Sequence, residues 1–297
     1  MTSTVAAVSS EADLFSDAAL SNPYPLWETL QDLGPAVHLT RHNMWLLTRY
    51  EQVRAALDDW QSFSSAAGIG LNEHFNRSWA SGLICLDPPE HGPQRTLFTE
   101  RLSPRALRPL ATTLEARVDA MVEQLVRRGE CDAVRDLARG APVDVIMDLI
   151  GWPQDGREML LSMAAGWFDS AGPDNARTRR AAPRVESLIA YLHDVVRSGT
   201  LTSSGFASTM IEAHRRGELP LTAAVGLLCG YVVATFETTI NAICSGIWLF
   251  ATNPEQWALI RAGEVPVHGA VAEVLRMEAP VQYFSRSTRA RSISVGW

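Results

Sequence analysis

The sequence predicts a mainly α protein with small β elements, on three observations. Most of the chain beyond residue 83 repeats apolar side chains at helical spacing. A short stretch near the N-terminus alternates apolar and polar residues, and a strand-like tail closes the chain. No internal repeat or low-complexity tract interrupts the pattern, so residues 13–297 read as one domain behind a flexible arm, 1–12.

The elements follow in order. "NPYPLWETLQDLGP" (Asn22–Pro35) opens on turn residues, continues as a short amphipathic helix and stops at Gly34-Pro35. "AVHLTRHNMWLLTRY" alternates around a His42-Asn43 turn, the pattern of a hairpin, and Tyr50–Trp60 returns to helical period. From Gln61 to Leu83 the composition is that of a long loop, a class of segment that usually carries function or moves. A long helix then runs from a Ser103 cap, with Pro104 in its first turn, where its missing N–H costs nothing. "APVDVIMDLIGWP" is a shorter helix ended by Gly151 and Pro153. Helical periods resume over Gly156–Phe168 and Ala182–Arg197, and "SGTLTSSG" and "RRGELP" frame another short helix. Leu221–Ala251 is the longest helix; "NPEQWALIRAG", "VHGAVAEVLRMEAP" and the tail Val281–Trp297 complete the chain.

Bulk properties exclude several classes. Of the 297 residues 46% are hydrophobic and 20% charged, a globular composition rather than a disordered or fibrous one. The net charge of -7 argues against a nucleic-acid surface, and no basic-aromatic stripe suggests one. Cys85, Cys131, Cys229 and Cys244 lack paired or metal-type spacing, so reduced thiols in the cytoplasm are expected. The seven histidines are scattered; only His38 and His42 stand four apart, in the hairpin. "GIG" at Gly68–Gly70 lacks the third glycine and the strand-to-helix setting of a dinucleotide site, and no nucleophile elbow occurs.

The chemistry-bearing stretch is "YVVATFETTINAICSGIWLF" (Tyr231–Phe250), long enough to cross a bilayer yet carrying Glu237 near its middle. A carboxylate there would cost roughly 2.5–3.5 kcal/mol on insertion, with no second span to shield it, so a core helix is expected and no membrane. At about 100° per residue, Ala234, Glu237, Thr238, Asn241 and Ser245 share one stripe. Val232, Val233, Phe236, Ile240, Ile243, Ile247 and Phe250 cover the opposite arc. One side packs; the other offers an acid and hydroxyls, either as a polar seam satisfied by neighbouring helices or as a proton line beside a cofactor cavity. Two further groups accompany it. In "DPPEHGPQR" (Asp87–Arg95), His91 and Arg95 share a helix face suited to a carboxylate ligand, or simply begin an exposed helix. In "EVLRMEAPVQYFSR", Glu273 and Arg276 pair at i, i+3, and Arg286 follows on an extended segment.

In this order the three groups resemble the bacterial cytochrome P450 monooxygenases, over nearly the whole chain. The resemblance implies that fold, with haem b as cofactor, O2 and a small organic substrate, and a ferredoxin-type electron donor with its NAD(P)H-dependent reductase. "ATFETT" is similar to the family's small-small-x-acid-Thr signature, which implies Ala234 against the haem and Glu237 and Thr238 as the acid-alcohol pair that relays protons during oxygen activation. "HGPQR" resembles the family's His-x-x-x-Arg, implying that His91 and Arg95 hold haem propionates, with Arg286 as a further propionate arginine. "EVLR" resembles Glu-x-x-Arg, the structural ion pair Glu273–Arg276.

Two departures stand out. Thr235 replaces the usual glycine, where a side chain crowds or hydrogen-bonds the oxygen pocket. The glycine-rich loop with the proximal cysteine does not occur within the 297 residues, and none of the four cysteines stands in such a loop. The expectation is a fold incomplete at its C-terminal end, lacking a metal ligand and catalytically incompetent alone, with apolar surface uncovered on the helices that would pack there. The rival expectation is a haem-free, non-catalytic module that binds a ligand or a partner. The front end resembles members that O-demethylate aromatic acids such as methoxybenzoate. Arg77, Trp79, Ser81 and Leu83, with Phe75 and Val233, are the expected pocket walls, Arg77 meeting a substrate carboxylate.

Overall fold

A computed structural model describes residues 8–154, 156–199, 201 and 205–289. Near the N-terminus, strand β1 (Ser9–Ser10) lies parallel to β2 (Ala36–Leu39), which pairs antiparallel with β3 (Met44–Leu47). Asn43 turns that hairpin at φ 48°, a left-handed conformation asparagine tolerates. The expected flexible arm is therefore corrected from Val8 onward: the His38 amide donates to the Val8 carbonyl at 2.8 Å, which fixes β1 to the hairpin. Residues 1–7 lie outside the described set. Between β1 and β2 run α1 (Asp17–Ser21) and α2 (Tyr24–Leu33), and Leu30, Val37 and Leu39 form a small core beneath them.

The hairpin leads into α3 (Tyr50–Asp58). The segment expected as a loop, 61–83, contains a strand, β4 (Phe63–Ser64), and a helix, α4 (Glu73–Ser78). The Asn72 side chain caps α4 by accepting from the Phe75 amide, and its own NH2 donates to the Ser170 and Gly172 carbonyls. That tertiary tie, invisible in local composition, orders the segment. Then come α5 (His91–Arg101), α6 (Pro104–Arg128), a π-helical turn (Ala133–Ala138) and α7 (Ala141–Ile150). Ser103 caps α6 as expected, and Gly151 ends α7 at φ 85°.

The predicted 156–168 helix is two, α8 (Arg157–Ala164) and α9 (Gly166–Ser170). Gly166 is where α9 meets α10 (Ala176–Ser198): a Cβ there would stand 2.9 Å from the Cβ of Arg184. α10 begins six residues before the expected Ala182, because Asn175 caps it through the Thr178 amide at 3.0 Å and Pro183 is carried inside rather than at its start. Arg157, only 8% exposed, is satisfied by Asp144, Asp148 and the Trp152 carbonyl, tying α8 to α7. After α11 (Phe206–Arg215) comes α12 (Leu221–Thr252), which packs against α7, α8, α10 and α11 to make the main core. α13 (Pro254–Arg261) and α14 (Val267–Met277) follow. Of the expected strand-like tail, only β5 (Ser287–Thr288) is a strand among the described residues, antiparallel to β4; residues 290–297 lie outside them.

Candidate functional site

α12 sets the site. From Ala223 to Val233 every residue but Gly230 is buried; then Ala234 is exposed and Glu237, Thr238 and Thr239 are half-buried. The predicted stripe is thus open rather than sealed by neighbours. Glu237 and Asn241 line a cavity of about 300 Å³. Its far walls come from the α9 end (Trp167, Phe168, Asp169), from Arg177 on α10 and from Tyr283 and Phe284 after α14. Burial pushes the Glu237 carboxyl up, the Arg139 charge opposes that, and Asp169 adds to it. No hydrogen bond joins the Glu237 carboxyl to a described residue, so it stands as a poised acid rather than a satisfied core group.

The two threonines beside it turn inward on the helix. Thr238 Oγ1 donates to the Ala234 carbonyl at 2.6 Å, and Thr235 Oγ1 to the Tyr231 carbonyl at 2.5 Å. Thr238 does not line the cavity, and Thr235 does not obstruct it as expected, since its hydroxyl is engaged with its own backbone.

Asp87 links the start of α5 to the segment of Arg286 and Arg289. Its carbonyl accepts the His91 amide at 3.1 Å, starting α5, with His91 half-buried and Arg95 exposed. Its buried carboxylate accepts from Ser64 Oγ at 2.5 Å and the Ser65 amide at 3.1 Å, and pairs with Arg289. Burial raises this carboxyl, but those three partners and Arg286 outweigh it and hold it below the usual range. Arg286 stands three residues before Arg289, its Nη1 donating only to the Ser285 carbonyl and its guanidinium 5.9 Å from the Phe284 ring centre. Burial pulls Arg286 down, while Cys85 and Asp87 push it up. Among the described residues neither Arg95 nor Arg286 has an ion pair. Asp87 therefore relates α5 to the β5 segment, but His91, Arg95 and Arg286 do not line the cavity of Glu237.

Glu273 and Arg276 form the expected pair, two bonds of 2.6 and 2.7 Å, with side chains 59% and 65% exposed; such a pair contributes little by itself. The expected pocket walls fall elsewhere. Arg77, Trp79 and Ser81 line a second cavity of about 420 Å³ against His193 and the Thr222–Cys229 part of α12. Eight residues, about 12 Å of helix, separate Cys229 from Glu237. Arg77 is exposed and paired with Glu73 at 3.4 Å, the i, i+4 spacing of α4, which keeps it from Glu237. Leu83 and Val233 are core, and so is Phe75, its ring 5.0 Å from that of Trp167. Residues missed from sequence are Phe168, Asp169, Arg177, Tyr283 and Phe284, which no local motif marks. Only the nearness of "PVQYF" to Arg286 hinted at the last two.

Cys229 is fully enclosed and its thiol is pushed far up by burial; burial also takes Cys85 to about 11. Cys131 is exposed and Cys244 half-buried on α12. Trp248, Trp257, Val271 and Leu275, on α12, α13 and α14, are between 43% and 58% exposed. α12 is the one described helix long and apolar enough to span a membrane, and 67% of its most apolar window is buried inside the protein.

No family model matches the chain. It is 33% identical over 280 residues to cytochrome P450 CYP199A2 of Rhodopseudomonas palustris, covering 93% of this chain and 68% of that protein. It is 29% identical over 281 residues to the vitamin D(3) 25-hydroxylase of Pseudonocardia autotrophica, again 68% of the relative's length. Similar solved structures include P450BioI bound to an acyl carrier protein, with TM-score 0.76, 20% identity and 88% of this chain against 69% of that one. Another is CYP154A1 of Streptomyces coelicolor, with TM-score 0.70, 26% identity and 86% against 67%. The chain spans about two thirds of the length of these relatives.

Proposed function

The chain belongs to the bacterial cytochrome P450 family, and from that premise we propose that it forms the oxygen-side part of a haem-dependent monooxygenase site for a small organic substrate. The observation that carries the reading is Glu237, an acid with no hydrogen bond among the described residues, on the most apolar described helix and lining an aromatic-walled cavity. The residues present fit haem b on one face and at its edge. Ala234 opens the face of α12, and Arg95 and Arg286, which form no ion pair among the described residues, accompany His91 for the propionates. When bound, haem supplies the insertion of one oxygen atom of O2, with electrons from a ferredoxin-type donor and its NAD(P)H-dependent reductase in the cytoplasm.

The chain's own residues have separable tasks. Glu237, raised by burial, holds a proton at its carboxyl nearer to neutral pH than an exposed glutamate and delivers it into the cavity. The Thr238 hydroxyl, held by the Ala234 carbonyl and outside the cavity lining, joins the relay only on leaving that carbonyl. Trp167, Phe168, Tyr283 and Phe284 exclude water and hold an aromatic substrate by ring contact, the basis for oxidation such as O-demethylation. Glu273 and Arg276 brace α14.

A second reading, a haem-free ligand-binding module, is favoured by Cys85, Cys229 and Cys244, whose thiols burial pushes up, away from the thiolate form. Haem titration separates the two. The first reading expects one haem per chain, followed by tryptophan quenching, and roughly tenfold weaker uptake in Arg286→Ala, as loss of one charge-assisted contact implies. It also expects no thiolate-type absorbance band on reduction with carbon monoxide. Absence of saturable uptake sinks it and leaves the module.

A further inference from the structure

We infer that the cavity beside Glu237 takes aromatic amines in their cationic form in preference to aromatic carboxylates, an inference that rests on reading this cavity as the substrate chamber. The charge census of the wall carries it. Of the described residues lining the cavity, the charged ones are Asp169, Arg177 and Glu237. The one cation is already committed: Arg177 Nη2 stands 2.6 Å from Asp17 Oδ1, and its Nη1 stands 3.7 Å from Asp169 Oδ1. A ligand carboxylate entering here would lose water without gaining a free counter-ion, and would face two acids.

An ammonium group meets the opposite conditions. Asp169 keeps a side chain 49% exposed and meets Arg177 through Oδ1 alone, at 3.7 Å, against 2.6 Å for the Arg177–Asp17 contact, so its carboxylate is only loosely engaged and can take a ligand cation. Phe15, Phe168 and Tyr283 contribute aromatic rings to the same wall, groups that attract a desolvated cation, while the Phe284 ring already has the Arg286 guanidinium 5.9 Å from its centre. Two groups in the wall register the negative field of Asp169: Tyr283, pushed up to about 12 by burial and then by that charge, and Glu237, raised in the same sense. Arg139 opposes this at Glu237, but it does not line the cavity. The cationic Arg77 opens into the other cavity, at the far part of α12, and is paired there with Glu73.

The test is isothermal titration of the full chain at neutral pH with benzylamine, benzyl alcohol and benzoate, which share one ring and differ in charge. The expected result is binding of benzylammonium about tenfold tighter than benzoate, as one cation–carboxylate and ring contact implies. Asp169→Asn should remove most of that ratio while leaving benzyl alcohol unchanged. Should that variant not fold, Glu237→Gln provides the same comparison in a residue that holds no ion pair. Benzoate binding as tightly as benzylammonium, or a ratio indifferent to both substitutions, overturns the charge preference while the chamber stands. Failure of all three ligands to bind overturns the chamber itself, and the preference with it.

Discussion

The two halves of α12 are both rich in apolar residues, but they differ in polar content and in surroundings. Between Ala223 and Val233 only Gly230 escapes burial; between Ala234 and Thr252 only Phe236, Ile240 and Gly246 are buried. The second half carries the acid and most of the hydroxyls, yet Ile243, Ile247 and Phe250 there are as apolar as Leu227 or Val232 and are only half-buried. The company differs too: Phe206 of α11 stacks on Tyr231 in the first half, whereas the second meets Val274 of α14 at Gly246 and has Arg139, at the end of the π-helical turn, near Glu237 and Cys244. A core helix that loses its neighbours halfway along can carry an acid at the boundary, because Glu237 is buried enough to be raised and open enough to act.

The largest test of that contrast is truncation on each side of the boundary. Leu228→Ala, in a fully buried position, should cost about 2–5 kcal/mol in urea unfolding, from lost burial and the cavity left behind. Trp248→Ala, at a side chain 58% exposed, should stay within about 0.5 kcal/mol despite removing a larger group. Equal costs would mean that the second half is packed as tightly as the first.

The helix also carries a matched pair of glycines. A Cβ at Gly226 would stand 2.3 Å from the Ser81 carbonyl oxygen, a backbone atom with nowhere to go. At Gly246 the nearest groups are the Val274 methyls at 3.7 Å, ordinary contact. Gly226→Ala should therefore cost about 1–3 kcal/mol through overpacking. Gly246→Ala should gain up to about 1 kcal/mol through helix propensity. A thermal melt of both variants checks the opposite signs.

Gly226 also explains what the sequence could and could not reveal. Helix limits set by local chemistry were legible: the Ser103 cap, the Gly151 stop and the Asn43 turn are each made by one or two neighbouring residues. The acid stripe on α12 was legible for the same reason, as periodicity alone defines a face. The cavity walls were not. Segment 77–81 has the aromatic and polar composition of a pocket, and it does line one. The close approach of Ser81 to Gly226 draws it to the first half of α12, away from Glu237. The actual partners of Glu237 come from 167–177 and 280–284, brought together only by the packing of α9 and α10. The start of α10 was not legible either: helical period was read only from Ala182, whereas the helix begins at Ala176 and carries Pro183 inside, with buried Val185, Leu188 and Leu192 holding it beyond the proline.

Two acids on either side of the site sharpen the contrast further, because burial acts on both and only one is compensated. Asp87 has Ser64, Ser65 and Arg289 and is held low. Its contribution to stability is complete above the ordinary aspartate value of 3.8 and is lost as pH falls through its lower folded value. Asp87→Asn should be less stable than the parent at neutral pH, and the gap should close only in strong acid.

Glu237 gives the smallest effect, with the opposite sign. Its folded pKa lies above 4.5, so the native state holds its proton more tightly than the unfolded chain does. Stability then declines as pH rises from 4.5 through the folded value, because ionising the carboxyl is harder inside than out. Glu237→Gln removes that decline. The variant should melt slightly above the parent at neutral pH and coincide with it below pH 4.5, while any activity of the complete site falls with the loss of the acid. A variant less stable than the parent at neutral pH would mean that the carboxylate has a partner in the fold, which would make Glu237 a structural group and leave the open half of α12 without its chemistry.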